Sequence, residues 1–282
     1  MTRSSMQAAF VAGARGRILV VARRPAQQRS AVLIVPPFAE EMNKCRRSFT
    51  ELSHALAERG IATVLPDLYG TGDSEGEFVD ADLDVWLDDL SRVVEWSSAQ
   101  GCPVTALLCV RLGCPLGALL ARRWPGRFEQ AAFWQPVLDG KRFLAQFFRL
   151  RVAASMMEPN KRESVEALRA LLHSSGRIEV AGYELGSKLV GQLDTLALDA
   201  RCCADIGAVH WMEVLRDHAA TLPTPSRQFI DAQRSAGHEI AEHTFVGEPF
   251  WSSVEIVTNQ QLIASTAEVL AARPAMRVAN HG

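Results

Sequence analysis

The residues able to do chemistry gather around one arginine. Cys109-Val-Arg111-Leu-Gly113 sets Arg111 between small residues, after the apolar run Val104–Val110 and before a small-residue helical stretch. A tight turn of that kind exposes its middle side chain and aims the free N–H groups of the next helix at whatever sits there. A guanidinium stays protonated at physiological pH and cannot attack a carbonyl. Two roles remain open to it. Glu40 or Glu41 can form a bidentate salt bridge with it at the floor of a pocket. Left free, it is a seat for a carboxylate, sulfate or phosphate, which guanidinium and helix amides both favour.

Other side chains are placed to join it. Pro36-Pro37-Phe38 follows an apolar run and leads into Glu40, Glu41, Asn43, Lys44, Arg46 and Arg47. The two prolines remove two backbone N–H donors from that segment. Trp134, Trp211, Phe250 and Trp251 fall at the ends of expected strands, where they offer apolar or sugar-stacking walls, and Gln135 and Glu248 beside them are further ligand-binding candidates. Six cysteines (Cys45, Cys102, Cys109, Cys114, Cys202, Cys203) show no CxxC pair and no histidine at metal spacing. They read as reduced and mostly buried, so no metal site or cofactor is expected.

Bulk properties narrow the class. A chain of 282 residues, 48% hydrophobic and 22% charged, suits one large α/β domain with a small insertion. A net charge of −2 gives no basic field to draw nucleic acid. No apolar run reaches the roughly 18 residues of a membrane span, and Met1–Gly16 lacks a signal-peptide core. A cytoplasmic location is the expectation.

These residues need a scaffold, and the pattern supplies one. Phe10–Ala12 and Ile18–Ala22 suggest an opening hairpin. Apolar runs at Ala31–Val35, Ala62–Leu65, Val104–Val110 and Gln130–Trp134 predict buried strands, and helical spacing is expected over Arg47–Arg59, Asp82–Ser98 and Cys114–Arg123. Alternation of that kind argues for a mostly parallel central sheet covered by helices on both faces. From 139 to 198 helices without intervening strands are expected (Arg142–Met157, Glu163–His173, Glu184–Leu198), a helical cap inserted into a core of 1–138 and 199–282. Val209–Val214 and Glu239–Val246 resume the strands, and Asn259–Arg273 closes as a helix. In the first cap helix, Phe143, Leu144, Phe147, Phe148 and Leu150 form an apolar face flanked by Lys141, Arg142, Arg149 and Arg151. Covering the pocket is one use for it; peripheral membrane contact is the alternative.

Asp67-Leu-Tyr-Gly70-Thr-Gly72-Asp-Ser74, together with the Arg111 turn, resembles the α/β-hydrolase superfamily. The turn is then the nucleophile elbow, with arginine where serine is needed. The superfamily's acid follows the strand at Val209–Val214, where Glu213 and Asp217 are available. Its histidine follows the last strand, but Gly247-Glu248-Pro249-Phe250-Trp251 holds none. His243 falls within that strand, His238 at its start, and His210 within a neighbour. Cys114, in the first turn of the elbow helix, is the alternative nucleophile, although a small packing residue is the simpler reading.

A narrower match covers nearly the whole chain. Pro36-Pro-Phe-Ala-Glu-Glu-Met-Asn-Lys44, Val110-Arg-Leu-Gly113, Trp134-Gln-Pro-Val-Leu-Asp-Gly140, Val180-Ala-Gly-Tyr183 and Gly247-Glu-Pro-Phe-Trp251 resemble the exosortase A system-associated hydrolase 2 family. The resemblance implies an α/β-hydrolase fold in bacteria that make exopolysaccharide. Three functions follow. The protein is a degenerate member that binds a small acyl, glycan or anionic ligand, or an ester or thioester hydrolase using Arg111 with Glu40 or Glu41 and water, or a scaffold with a vestigial pocket.

Overall fold

The computed structural model describes residues 4–157 and 162–272. The opening hairpin is longer than its apolar residues suggest, with β1 (Ser4–Ala12) antiparallel to β2 (Arg17–Pro25). Then follow β3 (Ser30–Val35), α1 (Glu40–Glu58), β4 (Ile61–Pro66), α2 (Leu83–Ala99), β5 (Val104–Val110), α3 (Gly113–Arg123) and β6 (Phe128–Trp134). Between Trp134 and Ile206 lie α4 (Gly140–Ser155), α5 (Val165–Ser175), β7 (Arg177–Val180), β8 (Tyr183–Gly186) and α6 (Ser187–Thr195). The chain continues through β9 (Ile206–Leu215), α7 (Thr224–Ser235), β10 (Glu239–Val246) and α8 (Gln260–Ala271).

One eight-stranded sheet runs in the order β1-β2-β4-β3-β5-β6-β9-β10. β4 through β10 in that order pair parallel, and only the opening hairpin is antiparallel to its neighbours. The two-residue period of a strand decides which side chain serves which core. Ala31, Leu33 and Val35 of β3 join Leu90 and Val93 of α2 in one core. Val32 and Ile34 join Phe49, Leu52 and Leu56 of α1 and Leu262 and Ile263 of α8 on the other face. Because both faces are covered, β3 and β5 read as unbroken apolar runs rather than alternating ones.

Two expectations are corrected. α1 begins at Glu40, not at Arg47, because buried Met42 and Cys45 continue the 3,4 spacing of Phe49, Leu52 and Leu56 back toward the prolines. Glu40, Glu41, Asn43 and Lys44 therefore belong to the first turns of a helix, not to a loop. The segment expected to be purely helical also contains the β7–β8 hairpin. Its turn, Ala181-Gly182, has φ of 51° and 84°, as a two-residue hairpin of type I′ requires. Strands of four residues are too short for periodicity to reveal. α7 was not foreseen either, since Pro223 and Pro225 disguise its start. The closing helix runs to Ala271, and its expected end at Arg273 lies outside the described residues.

α4 spends its apolar face on packing: Phe143, Leu144, Phe147 and Phe148 are buried, and of that set only Leu150 is exposed. Among the described residues no helix is long and apolar enough to cross a membrane.

Candidate functional site

The site lies at the C-terminal ends of β3, β5, β6 and β9, where open parallel sheets place their ligands. Three non-glycine residues there have left-handed backbone: Ala39 after β3 (φ 52°), Arg111 after β5 (φ 56°) and Gln135 after β6 (φ 45°). Each such residue costs on the order of 1–3 kcal/mol, so the surrounding structure must enforce it. For Arg111 the backbone bonds are visible. Its N–H donates to the Trp134 carbonyl at 2.9 Å, and its own carbonyl accepts from Cys114 at 3.0 Å and Val137 at 3.3 Å. Gly113 completes the turn, since a Cβ there would run into the Val35 and Pro36 carbonyls. The tight elbow is built, and it presents a guanidinium.

That guanidinium is held on several sides. Nε and Nη2 both lie 3.0 Å from Oε1 of Glu41, and Nη1 donates to the Gln135 carbonyl at 3.3 Å. The contact is two nitrogens on one oxygen, not the bidentate fork. Glu41 Oε2 has no partner. The guanidinium carbon sits 5.0 Å from the centre of the Trp251 ring and 5.9 Å from that of Phe143. Arg111 and Glu41 side chains are only 15% and 17% exposed, so the pair is weakly screened. Burial raises the Glu41 carboxyl above its usual range, against the lowering pull of the Arg111 charge and hydrogen bond.

Around this pair the other candidates divide. Phe38 is buried among Phe78, Phe143 and Phe147, with ring centres 5.5, 5.7 and 5.2 Å away. Asn43 donates to exposed Glu40 and to the Tyr183 hydroxyl, each at 3.3 Å. Lys44 is turned to the Val254 carbonyl. Gln135 ties β6 to β9 by accepting from the Val214 N–H at 2.9 Å. Trp134 and Trp211 show no exposed surface and present no face to a ligand; their ring N–H groups donate to Thr266 and Glu213. Glu213 is 2% exposed, and its Oε2 has no partner. Asp217 is exposed and caps a turn by accepting from the N–H groups of Ala219 and Ala220. Glu248 is exposed.

Among the described residues no hydrogen bond joins Cys114 to a histidine. Burial pushes the Cys114 thiol well up, and its Sγ donates to the Cys109 carbonyl at 3.2 Å, so it stays neutral. His210 and His243 face each other across β9 and β10, ring nitrogens 3.3 Å apart. Burial, with the neighbouring His243, lowers His210 to about 4. Asp67, 5% exposed, holds the Gly-rich turn through the Asp73 N–H and meets Arg46 at 3.0 Å.

Two cavities flank the elbow. One, of about 70 Å³, is lined by apolar side chains including Phe38, Phe78, Leu112 and Leu116, with Asn43, Arg46 and Tyr183 at its polar edge. The other, of about 240 Å³, lies between Arg111, Arg142, Phe143 and Glu213. Phe78 and Arg142 were not foreseen as site residues, because only the folded chain brings the Gly-rich turn and α4 to the elbow.

Fold and elbow together define the class: this is an α/β-hydrolase fold. The X-Pro dipeptidyl-peptidase (S15 family) profile matches residues 17–111, the stretch from β2 to the elbow. Among solved structures, the ferulic acid complex of Est1E from Butyrivibrio proteoclasticus is similar at 16% identity and a TM-score of 0.66, covering 93% of this chain and 97% of that one. A lipase in its open form is similar at 15% identity and 0.64, covering 95% and 97%. A putative hydrolase from Agrobacterium vitis S4 is similar at 15% identity and 0.60, covering 95% and 98%. No curated protein matches the chain.

Proposed function

We propose that this protein is a non-hydrolytic α/β-hydrolase-fold protein that binds a small acyl-bearing ligand in the apolar cavity beside the elbow. One observation carries the reading. The elbow keeps its strained backbone, yet its side chain is a guanidinium fixed by Glu41, Gln135 and Trp251. A group so held cannot form an acyl-enzyme, and it fills the place where the reacting carbonyl would sit. The neighbouring cavity stays open. At about 70 Å³ it is far below the ~300 Å³ of a drug-sized pocket, which limits it to a short acyl chain. Asn43, Arg46 and the Tyr183 hydroxyl at its edge supply the polar contacts for a carbonyl or carboxylate. The segment 139–198 acts as its lid, since Tyr183 and Leu196 close one side. The sequence resemblance to the exosortase A system-associated hydrolase 2 family would put this binding in the cytoplasm, in support of exopolysaccharide production.

Isothermal titration with butyrate, hexanoate and octanoate tests the reading. Saturable binding that is lost in Leu116→Trp, which fills the cavity, is the expected result. No binding by any of the three, or binding unchanged by the tryptophan, overturns it.

A second reading rests on the unpartnered Oε2 of Glu41 and its raised carboxyl pKa, the features of a general base. Glu41 would take a proton from water while Arg111 steadies the developing oxyanion, hydrolysing an ester or thioester without a covalent intermediate. Turnover by wild type that disappears in Glu41→Gln would establish it.

A further inference from the structure

The phenylalanine face of α4 is buried, and the opposite face of the same helix is exposed. Over Gly140–Ser155 the helix carries four basic residues and no acidic one, in a chain whose net charge is −2. Arg151 is consumed internally: Nε and Nη2 donate to the two oxygens of Glu163, and Nη1 donates to the Glu179 carbonyl. Lys141, Arg142 and Arg149 are exposed, and among the described residues no ion pair engages them. The neighbouring acid, Asp139, is the N-cap, its carboxylate accepting from the Arg142 backbone N–H at 2.8 Å.

Helical spacing lines these groups up. Arg142, Arg149 and Met156 are seven residues apart, so each lies about 10.5 Å further along and drifts only about 20° around the axis. Leu150 and Met157 form the neighbouring row. Met156 keeps helical backbone (φ −68°, ψ −19°), and the Met157 N–H donates to the Ala154 carbonyl at 3.1 Å, so the helical course continues past Ser155. Leu150, Met156 and Met157 are 51%, 74% and 90% exposed. One face therefore carries unpaired cations over its first turns and protruding apolar side chains toward its end.

We propose that this outer face of α4 docks on an anionic lipid surface. Lys141, Arg142 and Arg149 would meet the headgroup phosphates, while Leu150, Met156 and Met157 enter the boundary between headgroups and acyl chains. Charge selects an anionic partner, and shape selects a bilayer. A helix face about 24 Å long and about 10 Å wide offers roughly 240 Å², well under the ~800 Å² per partner of a stable protein interface. A bilayer needs no matching shape and takes protruding side chains one at a time. Each basic residue near an anionic surface contributes about 1 kcal/mol, so three give reversible, salt-dependent attachment rather than a permanent anchor. This surface is independent of the acyl reading, because none of its six side chains lines the smaller cavity.

Co-sedimentation of the full chain with phosphatidylcholine vesicles, with and without about one third phosphatidylglycerol, is the test. Attachment to the anionic vesicles at low salt is expected, with little to the neutral ones and release as salt rises. The Arg142→Glu, Arg149→Glu double variant should weaken attachment about tenfold or more. Met156→Ser with Met157→Ser should weaken it about fivefold or more. All four positions are exposed, so both double variants are expected to keep the wild-type circular dichroism spectrum. Leu116→Trp should leave attachment unchanged, which separates this surface from the acyl cavity. No attachment to the anionic vesicles overturns the proposal, and so does attachment indifferent to either double variant. Self-association without lipid that both double variants abolish would also overturn it, and would make the face an interface between two copies of the chain.

Discussion

The guanidinium carbon of Arg111 lies 5.0 Å from the centre of the Trp251 ring. The contact joins the elbow after β5 to the loop after β10. In a serine hydrolase of this fold those two places hold the nucleophile and the histidine that takes its proton. Here the same juxtaposition carries a cation over an aromatic face, worth about 0.5–2 kcal/mol depending on desolvation. On the non-hydrolytic reading proposed above, packing takes the place of chemistry at this point.

A serine alone at the elbow is therefore expected to be inert. Arg111→Ser is expected to show no ester turnover above buffer, because no histidine stands in the 247–251 loop to act as base. Turnover in the Arg111→Ser, Trp251→His double variant would locate the missing step in that loop.

Removing the guanidinium should cost stability. Breaking a buried ion pair costs about 3–5 kcal/mol, and partial exposure of both partners reduces this to roughly 1–3 kcal/mol. Arg111→Ala leaves Glu41 without its partner, whereas the Arg111→Ala, Glu41→Gln double variant leaves neither charge of the pair. Urea denaturation should show the double variant more stable than the single one. Equal or additive losses would contradict the pairing.

Acid should weaken the fold through His210. Its folded pKa, about 4, lies below the ordinary value of 6.5, so the unfolded chain binds the proton more readily in between. Stability contributed by the neutral ring is complete above pH 6.5 and is lost as pH falls toward 4. After discounting for partial exposure, the effect is on the order of 1–2 kcal/mol. Glu41 acts in the opposite sense: its raised carboxyl pKa means stability falls as pH rises through its titration. The clean observable is the difference between wild type and His210→Gln, which should shrink from pH 7 to pH 4.5 as the wild type loses its advantage.

The β7–β8 turn offers a gain. Ala181 occupies left-handed backbone at φ 51°, a conformation that asparagine tolerates better than alanine. Ala181→Asn is expected to raise stability by about 0.5 kcal/mol, read from the shift in denaturation midpoint.

Much of this was legible in the chain itself. Buried parallel strands declare themselves as apolar runs, which is why β3, β5 and the elbow at Arg111 stand out without coordinates. The choice of Glu41 over Glu40 as the partner of Arg111 was not legible. It follows from α1 starting at Glu40, which turns one carboxylate inward and leaves its neighbour exposed. Trp134 and Trp211 were both expected at strand ends, but Trp211 lies within β9, and alternation within β6 and β9 sends the two rings into opposite cores. Glu213 gave no sign that one oxygen would be left without a donor, because that depends on everything packed around β9.

Hydrolysis of p-nitrophenyl acetate and butyrate by purified wild type, beside Arg111→Ala and Glu41→Gln, tests the central claim most directly. A closed elbow predicts that all three release p-nitrophenol no faster than buffer. Turnover by the wild type that vanishes in either variant would contradict the account, and would make the Arg111–Glu41 pair a catalytic device rather than a plug.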